Sequence, residues 1–124
     1  MTDTTARYDF KPFKQGVDWT RVIEFKTAGV ATPLTDYHAR MTIRDEPSIS
    51  GAELLSINDV THTANGSLIT IVAATGLVSL FISDEDTDSF TWTKAYYDLK
   101  LIDASAKESV PLYGELRVIP KVTV

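Results

Sequence analysis

Large apolar residues alternate with charged or polar ones through Tyr37-His38-Ala39-Arg40-Met41-Thr42-Ile43-Arg44. Tyr37, Ala39, Met41 and Ile43 fall on one face and His38, Arg40, Thr42 and Arg44 on the other. This two-residue period belongs to a strand buried on one side only. It returns over residues 95–102, with Ala95, Tyr97, Leu99 and Leu101 inward and Tyr96, Asp98 and Lys100 outward. Over residues 17–25, Trp19, Ile23 and Phe25 share a side opposite Thr20, Val22 and Glu24, and Arg21 interrupts the apolar side, which leaves the register open. The runs 53–57 and 67–72 flank Asn65-Gly66, a dipeptide that readily takes the positive φ of a tight turn, and residues 76–82 form the next strand.

Two long strands, about 92–102 and 109–119, are joined by the hairpin-length connection 103–107, whereas residues 29–35 read as a loop leading into the Tyr37 strand. Ser83-Asp84-Glu85-Asp86-Thr87-Asp88-Ser89-Phe90 breaks the β pattern with one helical turn, capped by Ser83 and carrying acids in its first turn, where the helix dipole favours them. At the start of the chain, Tyr8-Asp9-Phe10-Lys11-Pro12-Phe13 suits an edge position, because Pro12 lacks the donor a central ladder requires. The spacing of strands, with almost no helical period, predicts an all-β antiparallel sandwich or barrel. No internal repeat, low-complexity run or linker divides the chain, so residues 1–124 are expected to form a single domain with an N-terminal arm of about residues 1–13.

A chain of 124 residues can bury roughly two-thirds of its unfolded surface without covalent or metal staples. It has no cysteine, which excludes disulfides and thiolate metal sites. Seventeen acidic against twelve basic residues give a formal charge of −5, and the pI near 4.9 argues against nucleic acid as a partner. The N-terminus shows no basic region followed by an apolar run, and no apolar stretch approaches the ~20 residues of a membrane span. The expectation is a soluble product made in the cytoplasm, with no membrane partner.

Candidate chemistry is sparse. Asp84-Glu85-Asp86-Thr87-Asp88 places acids at alternate positions, like the start of a calcium loop. Ser89 stands where such a loop needs glycine and Ala95 where it needs glutamate, so the capped turn is the better reading and no metal or cofactor is expected. His38 and His62 are too few and too separated to suggest a ligand cluster. No Gly-x-Ser-x-Gly elbow, phosphate-cradling glycine loop or dinucleotide fingerprint occurs. A serine hydroxyl without a base beside it is inert, so no enzymatic activity is expected.

The aromatic residues Trp19, Phe25, Tyr37, Phe81, Trp92 and Tyr97 lie on apolar faces and read as core. Tyr8, Phe10 and Phe13 are different, because they put three large apolar side chains on an otherwise polar arm. Such an arm either docks on a neighbouring subunit, making these three residues an interface, or covers its own sheet edge.

The order of signals carries a resemblance. An N-terminal Tyr-Asp-Phe strand, Lys14-Gln15-Gly16 at a turn, Leu34-Thr35-Asp36-Tyr37 leading into Ala39-Arg40-Met41-x-Ile43-Arg44-Asp45, and Tyr97-Asp98-Leu99-x-Leu101-Ile102-Asp103 before Leu112-Tyr113-Gly114-Glu115-Leu116-x-Val118-x-Pro120 together resemble small virion proteins of tailed bacteriophages. The pattern is similar to the immunoglobulin-like N-terminal domain of phage baseplate upper proteins and spans nearly the whole chain. The resemblance implies an immunoglobulin-like β-sandwich, a non-enzymatic structural role at the tail or baseplate, as an adaptor or as a head decoration, localisation in the virion, and assembly with other virion proteins and with itself as a homo-oligomer. The competing expectation is a free-standing module that binds carbohydrate on a host surface through an exposed aromatic such as Trp92 or Tyr96.

Overall fold

The computed structural model describes residues 6–122. In chain order the elements are β1 (Ala6–Arg7), β2 (Phe13–Lys14), β3 (Trp19–Glu24), β4 (Lys26–Thr27), β5 (Val30–Ala31), β6 (His38–Arg44), β7 (Glu53–Asn58), β8 (Leu68–Val72), a 3-10 turn (Ala73–Thr75), β9 (Leu77–Ile82), the short helix α1 (Asp84–Asp88), β10 (Lys94–Ile102) and β11 (Glu108–Ile119). The fold is mostly β. One sheet runs β1-β11-β10-β6-β7 with β2 also on β11, a second runs β3-β9-β8, and β4 and β5 form a small hairpin.

The alternation seen in the sequence is what divides inside from outside. On β6 and β10, Ala39, Met41, Ile43, Ala95, Tyr97, Leu99 and Leu101 are buried, while His38, Arg40 and Asp98 are exposed. Met41 faces Leu99 and Ile43 faces Tyr97 across the antiparallel pair. From the other sheet Trp19, Ile69, Val78, Leu80 and Ile82 join the same core. Each fully buried side chain of this size contributes about 1.5–3 kcal/mol, so the shared core is the principal source of stability. Tyr37 is only partly buried, because it precedes β6 in a turn where Asp36 sits at φ 61° and the Tyr37 amide donates to Leu34 O at 3.1 Å.

Arg21 finds its place without breaking the register of β3. Its guanidinium lies 5.1 Å from the centre of the Trp19 ring, so it belongs to the inward row with Trp19 and Ile23 and stacks as a cation on an aromatic face. Two expectations are corrected. Residues 29–35 are not all loop, since Lys26–Thr27 and Val30–Ala31 pair around Ala28-Gly29, whose φ values of 51° and 80° are those of a two-residue hairpin turn. Nor is the larger sheet purely antiparallel. β1 and β2 both pair with β11 in parallel, because the arm runs alongside β11 in the same direction. The Asn65-Gly66 turn forms, with Gly66 N donating to Thr63 O at 2.9 Å, but the strands on either side of it belong to different sheets.

Candidate functional site

The predicted interface residues lie on the arm, and the structure tucks most of that arm into its own domain. Residues 1–5 of the arm lie outside the described residues. From Ala6 onward the chain follows the edge of β11, with Tyr8 N donating to Tyr113 O at 2.7 Å and Phe10 N to Glu115 O at 3.2 Å. Gly114 permits this approach, since a Cβ there would lie 2.1 Å from Tyr8 O. The Tyr97 hydroxyl donates to the same carbonyl at 2.6 Å. Burial, followed by the nearby Asp9 and Tyr8, pushes that phenol's pKa up.

Phe10 and Phe13 are 6% and 7% exposed, with ring centres 5.1 and 5.8 Å from that of Trp19. The arm therefore covers its own sheet edge. Of the three predicted anchors, Phe10 and Phe13 are core residues and Tyr8 alone keeps half its surface open, at 52%. The sequence could not separate these outcomes, because an aromatic on a polar arm looks the same whether its pocket lies in its own domain or in a neighbour.

Asp9 and Arg7 fasten the outer side of the arm. Asp9 accepts from Glu115 N at 3.0 Å and from Arg7 Nε at 3.2 Å, and these two contacts, in that order, hold its carboxyl below the usual range.

The acidic turn is also an internal fixture. Asp86 is buried and accepts hydrogen bonds from the hydroxyls of Ser67 and Thr63 and from Asn65 Nδ2. Burial alone would raise its pKa. The hydrogen bonds from Ser67, Thr63, Asn65 and Ser83 outweigh that effect and hold it below the usual carboxylate range. Ser83 caps the turn by accepting from Asp86 N, and the buried Ser67 hydroxyl accepts from Ser83 N at 2.8 Å. Asp88 instead pairs with Lys121. The alternating acids thus have different tasks, and Asp86 ties α1 to the Asn65-Gly66 turn. The two histidines are used locally: His38 Nδ1 lies 2.9 Å from Asp59 Oδ2, and His62 Nδ1 lies 2.8 Å from Thr63 O. Among the described residues no group of three or more His, Asp or Glu is gathered as a metal site requires, and no helix is long and apolar enough to cross a membrane.

Two outward faces remain. On the three-stranded sheet, Thr20, Phe81 and Leu68 form one outward row, Val22, Ser79 and Thr70 the next, and Glu24, Leu77 and Val72 the third. Val22 is 60% and Val72 45% exposed, and Leu68, Leu77 and Phe81 are only partly covered. On the larger sheet the outward rows are Arg40 and Lys100, then Thr42, Asp98 and Tyr113, then Arg44, Tyr96 and Glu115. These residues floor a groove of about 730 Å³, walled on one side by Glu46, Pro47, Ser48 and Ile49. The wall is anchored by Arg44 Nη1, which donates to Gly51 O at 2.9 Å. Tyr96 was one of the aromatics named for ligand binding and lies in this groove. Trp92, the other, is partly buried, with its ring 4.6 Å from that of Phe90. No known protein-family pattern matches the chain, and no curated protein matches it.

Proposed function

We propose that this chain is a non-enzymatic structural domain of a tailed-phage particle, an immunoglobulin-like β-sandwich that works by docking on further copies of itself and on neighbouring virion proteins. The observation that carries the assembly reading is β9. Leu77-Val78-Ser79-Leu80-Phe81-Ile82 is a nearly continuous apolar run, which is how a strand covered on both faces reads. Val78, Leu80 and Ile82 face the core, while the partly buried Leu77 and Phe81 face outward beside the partly buried Leu68 and the exposed Val22 and Val72. A sheet face of this composition is that of a domain whose second layer arrives on assembly.

The order of motifs in the sequence supports the virion as the setting, and two sheets sharing one hydrophobic core support the sandwich. Sedimentation velocity over a range of concentrations tests the self-docking. The wild-type chain should associate as concentration rises, and Val22→Glu combined with Val72→Glu should sediment as a monomer while melting within a few degrees of wild type, as expected for exposed positions. A wild-type chain that stays monomeric throughout contradicts self-docking through this face.

A further inference from the structure

The groove on the opposite side of the molecule has a different chemistry. We propose that it is a binding site for a neutral glycan, held over Tyr96 and Tyr113 and hydrogen-bonded by Arg40 and Asp98. Three observations carry this.

First, the groove is balanced in charge. Its lining includes Arg7, Arg40, Arg44 and Lys100 against Glu46, Glu53, Asp98 and Glu115, four of each sign, so it suits neither a polyanion nor a polycation.

Second, four of these charges are already engaged, whereas Arg40 and Asp98 on the groove floor are not, nor are Glu46 and Glu53 at its side. Arg7 binds Asp9 and Glu115, Arg44 holds Gly51 O, and Lys100 pairs with Glu108. Arg40 and Asp98 are both exposed, lie on adjacent strands and make no side-chain hydrogen bond or ion pair among the described residues. A guanidinium offers a fork of donors and a carboxylate a pair of acceptors, and the hydroxyls of a sugar both accept and donate.

Third, the exposed Tyr113 lies beside Asp98 in the same row, and Tyr96, with Lys94 Nζ 5.5 Å from the centre of one ring face, lies in the adjacent row, so that two aromatic rings with polar tips stand next to the hydrogen-bonding pair. The groove crosses the middle strands of the sheet, where backbone donors and acceptors are already paired, so it offers an extended peptide no ladder to join. It has instead the side-chain polar contacts and the aromatic platform that polyhydroxylated rings require.

The site is independent of the assembly face, and the experiment keeps the two apart. The ¹⁵N-labelled protein is titrated with a panel of neutral oligosaccharides (oligomers of glucose, galactose, mannose and N-acetylglucosamine) and, separately, with a sulfated oligosaccharide and an acidic peptide. At least one neutral member should shift amide resonances of Arg40, Thr42, Tyr96, Asp98 and Tyr113. Its affinity should fall at least tenfold in Asp98→Ala, Arg40→Ala and Tyr96→Ala, and should be unchanged in Val22→Glu. Asp98 and Arg40 are solvent-facing, so these two variants keep the wild-type melting temperature even if Tyr96→Ala does not. Absence of any shift across the neutral panel overturns the proposal, as does binding that the Asp98 and Arg40 variants leave intact, or binding of only the sulfated sugar or the peptide.

Discussion

Adding one methyl group at Gly114 should detach the N-terminal arm. Gly114 lies outside the left-handed region of backbone space, so alanine is not excluded there by its own conformation. The added Cβ would instead lie 2.1 Å from Tyr8 O, 2.7 Å from Tyr8 C and 2.8 Å from Asp9 Oδ1. Backbone atoms on both sides leave no flexible tip to give way, so the arm must move outward by about an ångström or more. That movement breaks the 2.7 Å bond from Tyr8 N to Tyr113 O and strains the 3.2 Å bond from Phe10 N to Glu115 O. Each is worth about 1 kcal/mol net. It also leaves the Tyr97 hydroxyl, bonded at 2.6 Å to Tyr8 O, without a partner at a cost of about 1–3 kcal/mol. Part of the packing of Phe10 is lost as well, where full truncation of a buried phenylalanine costs about 3–5 kcal/mol.

Gly114→Ala is therefore expected to destabilise by about 3–6 kcal/mol, a large share of the roughly 5–15 kcal/mol available to a domain. The melting temperature should fall by at least about 10 °C. Urea melts of wild type, Gly114→Ala, a chain lacking residues 1–9, and the combination give a double-mutant cycle. In the truncated chain the clash has no partner, so the same substitution should cost less than about 1 kcal/mol. A Gly114→Ala protein as stable as wild type, or a penalty unchanged by truncation, would refute the placement of the arm.

Leu99→Ala, at a fully buried position facing Met41, should cost about 2–5 kcal/mol in a thermal or urea melt, and less than half a kilocalorie would contradict the inward assignment of that β10 face. Asp86→Ala leaves Ser67, Thr63 and Asn65 without their acceptor and should cost about 3 kcal/mol or more, read by the same melts. Because the folded pKa of Asp86 is depressed, its contribution is fully present above the unfolded value of about 3.9 and is lost as pH falls through the folded value. The stability difference between wild type and Asp86→Asn should accordingly be flat near neutrality and shrink below about pH 4. Calcium should leave the melting temperature unchanged, since a ligand stabilises only the state it binds and the oxygens of Asp86 are already occupied by protein donors.

The period-two alternation of β6 and β10 made the inner face of the larger sheet legible, because in a one-sided strand each side chain's polarity reports its own environment. Arg21 was ambiguous for the opposite reason. A guanidinium on an inward row becomes sensible only when the Trp19 ring beneath it is known. The Ala28-Gly29 hairpin escaped because alanine rarely takes positive φ and so gave no turn signal. The parallel pairing of the arm depended on Gly114, some 100 residues away in sequence, where the absence of a side chain carries no periodic signature. The acidic turn was legible as a capped turn but not as a buried anchor, since the donors to Asp86 come from Thr63, Asn65 and Ser67 on another loop. Of the surfaces, the outward row of β9 was not legible, because Phe81 reads as core until its pairing with Thr20 and Leu68 places it on the outer side. Nor was the groove, because Arg40, Asp98 and Tyr113 are ordinary outward residues until the strand order brings them side by side.

The proposed assembly through the outward face of the three-stranded sheet is tested most directly by incorporation into particles. Virions should be produced with the wild-type chain and, in parallel, with the Val22→Glu, Val72→Glu double variant, purified, and their content of this protein quantified by mass spectrometry. A fixed, stoichiometric amount of wild-type protein per particle and near-complete loss of the folded double variant are expected. Particles that lack the wild-type protein, or that take up the double variant equally well, would contradict the proposal.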